Sequence, residues 1–106
     1  MSTPEGKVKA KIKKLIDQFG AYQHWPVQSG YGSPTLDCNG CLNGLRFDVE
    51  AKAPGKKPTP RQKIIIRDLT RAGSAVFVIG EHWSAETGEF SGMRDLYTWL
   101  LLHKKP

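Results

Sequence analysis

Apolar positions recur along the chain in two rhythms. Between residues 4 and 20, Val8, Ile12, Leu15, Ile16 and Phe19 follow the spacing of an amphipathic helix, with lysines on the opposite face. Ser2 or Thr3 caps its start, Pro4 suits the first turn, Glu5 opposes the helix dipole and Gly20 ends it. From Leu45 to Lys52 the rhythm changes to alternation, which predicts a strand. Leu45, Phe47, Val49 and Ala51 share one face, and Arg46, Asp48, Glu50 and Lys52 the other. A second helix is expected from Pro60 or Arg61 to Gly73, burying Ile65, Ile66, Leu69 and Ala72. Ser74 to Gly80 is a continuous apolar run, the pattern of a central strand covered on both faces. Met93, Leu96, Tyr97, Leu100 and Leu101 mark a last amphipathic helix.

The segments between are less regular. Tyr22 to Gln28 reads as a short strand limited by Pro26, and Pro34 to Cys38 as a second extended stretch. Asn39-Gly40 and Asn43-Gly44 are both turn dipeptides. Ala53 to Pro60 and Glu81 to Gly92 read as loops. The predicted order is helix, strand, strand, strand, helix, strand, helix. This is an α/β fold with a mixed central sheet flanked by helices. The strand–helix–strand unit from Leu45 to Gly80 implies a right-handed crossover between parallel strands.

A chain of 106 residues fits one domain, residues 1–106, and leaves no room for a separate cofactor domain. The apolar fraction of 39% is that of a globular protein, and no apolar run approaches the roughly 20 residues of a membrane span. The basic N-terminus has no apolar core behind it, so a secretory signal is not expected. Two cysteines make no disulfide framework, and a reducing, cytoplasmic setting is the expectation. The net charge of +6 favours a polyanionic partner.

That charge gains meaning from where the carboxylates lie. Asp37, Glu50-Ala51-Lys52 and Gln62 at the next helix start fall close together in the predicted fold. Glu50 and Lys52 are two apart on one strand and project to the same face. If Asp37 lies on the adjacent antiparallel strand, its carboxylate can meet that of Glu50. Two carboxylates and a main-chain carbonyl make a hard oxygen site suited to Mg²⁺ or Mn²⁺. A lysine beside it can orient a water for attack on a phosphodiester. Alone, Glu-x-Lys is a common pattern of solvated strand faces; its setting gives it weight.

The stretch Gly32 to Gly80 resembles the virus-type replication-repair nuclease (VRR-NUC) domain, a member of the PD-(D/E)xK, restriction-endonuclease-like nucleases. The resemblance is carried by Asp37, by Glu50-Ala51-Lys52-Ala53-Pro54-Gly55, by Thr59-Pro60-Arg61-Gln62, and by the run from Leu69 through Gly73 to Val78. The N-terminal helix with its early Glu5 is also similar. The likeness implies a restriction-endonuclease-like core and a stand-alone nuclease of the bacteriophage type, acting in the host cytoplasm. It implies a metal-dependent endonuclease that cuts branched DNA or four-way junctions in replication, recombination or repair. Asp37 and Glu50 would bind the metal with the Ala51 carbonyl, Lys52 would position the attacking water, Gln62 would support the site, and Glu5 would add an outer ligand or polarise the site from the first helix. A junction or duplex cut on both strands needs two sites, so a homodimer is expected. No organic cofactor and no membrane partner are expected. The family usually places Pro and Asp side by side, whereas here Thr35 and Leu36 separate Pro34 from Asp37. The resemblance favours Asp37, with Asp48, on the same strand face as Glu50, as the competitor.

Lys56, Lys57, Arg61, Lys63, Arg67 and Arg71 form a basic loop and helix past the acidic pair, a candidate phosphate-tracking surface. Lys7, Lys9, Lys11, Lys13 and Lys14 read as a solvated helix face. Tyr22, Trp25 and Tyr31 suit base stacking, core packing or dimer contacts equally. Trp83, Phe90 and Trp99 are expected to pack, and the three histidines have no partners at ligand spacing. Cys38-x-x-Cys41 has the spacing of half a zinc site, but no second pair completes it, and a turn is the better reading. Two rivals to the nuclease remain: a non-catalytic basic DNA-binding module, and a small zinc-containing interaction domain.

Overall fold

A computed structural model describes residues 3–27 and 34–106. Helix α1 (Pro4–Gln18) is capped by Thr3, whose hydroxyl accepts from the Gly6 amide at 2.9 Å. Ser2, the other cap candidate, lies outside the described residues, as do Gln28, Tyr31 and the glycine-rich stretch around them. Strand β1 (Tyr22–His24) is shorter than expected. It pairs antiparallel with β2 (Cys38–Leu42), which pairs antiparallel with β3 (Leu45–Ala51). Helix α2 (Pro60–Arg71) then leads to β4 (Ala75–Ile79), parallel to β3. The sheet order is β1-β2-β3-β4. A small hairpin of β5 (Trp83–Ser84) and β6 (Glu89–Phe90) precedes α3 (Met93–His103). The molecule is thus a compact α/β domain with a mixed central sheet and three helices.

The strands alternate between a dry face and a polar one. Phe47, Val49 and Ala51 of β3 and Cys38 and Leu42 of β2 enter a core with Val8, Ile12, Leu15 and Ile16 of α1 and Leu96 and Leu100 of α3. The opposite face of β3 carries Asp48 and Glu50, and α2 reaches it through Gln62. Both faces are therefore buried over most of β3, although its sequence reads as half-solvated.

Several expectations need correction. Asn39-Gly40 is no turn. It lies inside β2, where a Cβ on Gly40 would collide with the Phe47 ring opposite; glycine is there for close packing. The turn is Asn43-Gly44, with φ of 53° and 82°, which closes the β2–β3 hairpin. Pro34 to Cys38 is not an extended strand, since the ladder starts only at Cys38. Ser74 to Gly80 is not a central strand. Among the described residues no strand pairs with the outer edge of β4, so only Ile79 is fully buried, while α2 and α3 both pack against it. Ile65, Ile66 and Leu69 are accordingly half-buried and Ala72 is exposed, because α2 covers the edge of the sheet rather than its middle. Tyr97 and Leu101 also stay exposed, as α3 meets the core along a narrow stripe. The segment Glu81 to Gly92 holds the β5–β6 hairpin, too short to register as alternation. No described helix is long and apolar enough to cross a membrane.

Candidate active site

The antiparallel β2–β3 register pairs Cys38 with Val49, and one further step sets Asp37 opposite Glu50. Cross-strand partners share a face, so the two carboxylates meet. Asp37 is fixed by the chain itself: its Oδ2 accepts from the Ala51 amide at 2.9 Å. Its Oδ1 faces Lys9 Nζ of α1 at 3.7 Å, and Lys9 also contacts Glu5 Oε2 at 3.3 Å. Glu50 Oε2 accepts from Gln62 Nε2 at 2.9 Å and lies 3.4 Å from Lys52 Nζ. Asp37, Glu50, Lys52, Gln62 and Glu5 line one cleft of about 350 Å³, with Lys9, Thr35 and Arg61 among its other walls.

Local structure explains each position. Thr59 caps α2, accepting from the Gln62 amide at 3.2 Å, while Gln62 Oε1 accepts from the Thr59 amide at 3.0 Å. This reciprocal box aligns the first turn of α2 and leaves Gln62 Nε2 aimed at Glu50. Lys52 is held by its amide, which donates to the Ile79 carbonyl at 2.8 Å. Gly80, at φ 109°, passes directly over the Lys52 carbonyl, where any Cβ would collide.

Burial pushes the Glu50 carboxyl up to about 7, reinforced by the negative Asp37 beside it and opposed by Lys52. Burial lowers the proton affinity of Lys9, but Asp37 and Glu5 outweigh it and leave its pKa above the ordinary lysine value. The buried carboxylate pair is contacted by two lysines, Lys9 at Asp37 and Lys52 at Glu50. Its oxygen donors fit a hard divalent cation. Among the described residues no cluster of three or more His, Cys, Asp or Glu side chains is placed to hold a metal. The Asp37–Glu50 pair would need the Ala51 carbonyl or water to complete an oxygen set.

Asp48 does not join them. It is fully buried and bound by Arg46 Nε and Nη2 at 2.9 and 3.0 Å, by Asn39 Nδ2 at 3.1 Å and by the Ser74 hydroxyl. It shares the strand face of Glu50, yet lies outside the cleft. Ala51 contributes its amide to Asp37 rather than a side chain. Of the basic residues, Arg61 reaches the cleft; Lys56, Lys57 and Lys63 are exposed nearby; Arg67 pairs with its neighbour Asp68 at 3.0 Å, and Arg71 is exposed at the far end of α2.

Cys38 and Cys41 face opposite sides of the sheet because they are three apart on β2, which rules out a shared zinc ion between them. Cys38 is buried, and that burial raises its thiol to about 12. Trp99 packs against Phe47 and Phe77, as expected, and Phe90 against Trp83, which stays half exposed. Trp25 is half-buried under Lys13, and Tyr22 is exposed. Lys9 and Thr35 are the cleft residues that the sequence reading missed. Glu5, Val8, Lys9 and Ile12 share one helix face, but that spacing does not by itself bring Lys9 to Asp37. No family model, curated protein or solved structure matches the chain.

Proposed function

We propose that this chain is a metal-dependent endonuclease that hydrolyses DNA phosphodiester bonds, with a restriction-endonuclease-like core of the VRR-NUC type. The observation that carries the reading is the meeting of Asp37, Glu50, Lys52 and Gln62 in one cleft. They come from a loop, a strand, its end and a helix start, and solvated surface charges have no reason to converge so. Asp37, Glu50 and the Ala51 carbonyl would hold Mg²⁺ or Mn²⁺. When bound, the ion supplies Lewis acidity that offsets charge building on the phosphate. Lys52 orients the attacking water. Gln62 fixes Glu50 through its amide and Glu5 closes the cleft from α1. Arg61, Lys56, Lys57, Lys63 and Arg67 line the path of the phosphate backbone. One site per chain makes a homodimer the form suited to branched or duplex DNA.

The test is cleavage of single-stranded, duplex, flap and four-way-junction DNA with Mg²⁺ or Mn²⁺. Wild type is expected to nick at least one substrate, preferentially branched, and Glu50→Ala and Lys52→Ala to lose activity by about a thousandfold or more. Absence of cutting on every substrate with both metals would remove the enzyme reading and leave a binding module.

A further inference from the structure

The cleft contains two lysines in different mechanical settings. Lys52 closes a strand, is nearly buried, and contacts Glu50. Lys9 stands on α1 with its side chain 30% exposed, between Glu5 and Asp37. Since Asp37 Oδ2 is tied to the Ala51 amide, the oxygen facing Lys9 is Oδ1, the one left for a cation. An ammonium there and a divalent ion repel one another. The lysine stem is flexible, and its side chain is 30% exposed.

We propose that Lys9 is a positioning residue that competes with the divalent cation for Asp37 Oδ1 and yields when a backbone phosphate enters the cleft. Lys9 thereby makes cation and nucleic acid bind cooperatively. This rests on the metal-dependent reading above. Without a phosphate, Lys9 keeps the carboxylates partly neutralised and the cation weakly held. A phosphate offers the ammonium a new partner, Asp37 Oδ1 is freed, and each ligand tightens the other by the same factor.

The experiment measures Mn²⁺ affinity by electron paramagnetic resonance on the full chain, with and without a short cleavage-resistant phosphorothioate oligonucleotide. Lys9→Met should bind Mn²⁺ alone roughly tenfold more tightly than wild type, and Lys9→Arg should stay near wild type. The oligonucleotide should tighten Mn²⁺ roughly tenfold in wild type and much less in Lys9→Met. Lys9 is partly exposed on a helix, so both variants should keep the wild-type circular dichroism. Equal or weaker Mn²⁺ binding by Lys9→Met, with binding still lost in Glu50→Ala, overturns the role of Lys9 alone. Absence of Mn²⁺ binding in wild type and in Lys9→Met overturns the metal-dependent reading as well.

Discussion

Asp48 and Glu50 stand two residues apart on the same face of β3, both buried, and they have opposite fates. Asp48 is surrounded by donors from Arg46, Asn39 and Ser74, which leave its charge compensated. Glu50 has Gln62 and Lys52, but also a second carboxylate, Asp37, opposite it. The first region is a closed polar network that joins strands β2 and β3 to Ser74, the residue before β4. The second sets two carboxylates side by side, each with one lysine, and opens to a cleft. Burial with full satisfaction marks a structural group, and burial beside a second carboxylate at a cleft is the arrangement that the proposed metal-dependent chemistry would use.

The sharpest way to break that comparison is the same substitution in both regions. Asp37→Asn should lower cleavage by about a thousandfold, or about 4 kcal/mol of barrier, with a modest change in melting temperature. Asp48→Asn should instead cost about 2 kcal/mol of stability in urea unfolding and leave cleavage per folded molecule near wild type. Reversal of these two outcomes would make Asp48 the ligand.

Next in size is the pH dependence of stability. Folding raises the Glu50 pKa from 4.5 to about 7, so the metal-free fold favours the protonated form. That contribution is fully present below the unfolded value near 4.5 and is lost as pH rises through 7. Glu50→Gln should therefore stabilise the metal-free protein at pH 8 by on the order of 3 kcal/mol, little at pH 4, and abolish cleavage. Thermal melts across pH check this, and a flat difference between the two proteins would show that burial, with Asp37 beside it, does not raise the Glu50 pKa.

The smallest effect is expected at Gln62, which serves both fold and site. Gln62→Ala removes one half of the capping box and should cost about 1 kcal/mol of stability. It should also slow cleavage by roughly tenfold, since Glu50 loses its amide donor. Chemical unfolding and single-turnover cleavage separate the two parts.

Much of this was legible in the chain. The 3.6-residue rhythm of Val8, Ile12, Leu15 and Ile16 fixes α1, and the alternation from Leu45 fixes β3, because each period has one structural solution. Asn43-Gly44 announces its hairpin through the left-handed backbone it tolerates. Thr59-Pro60-Arg61-Gln62 announces the start of α2. Asp37, Glu50, Lys52 and Gln62 were legible as a set because the hairpin and crossover that bring them together are local. Long-range packing was not legible. Asn39-Gly40 carries a turn signature and lies in a strand because Phe47, across the ladder, needs the space a side chain would take. The apolar run Ala75–Ile79 does not reveal whether a fifth strand lies beside it, and among the described residues the sheet ends there. Lys9 reads as a solvated lysine until α1 docks and places it at Asp37. Periodicity and turn chemistry act over a few residues, so the sequence alone determined the helices, β3, the turn before it and the acidic pair. Which buried carboxylate is enclosed by donors and which meets a second carboxylate at a cleft depends on groups brought from β2, α2 and α1, and only the tertiary structure decided that.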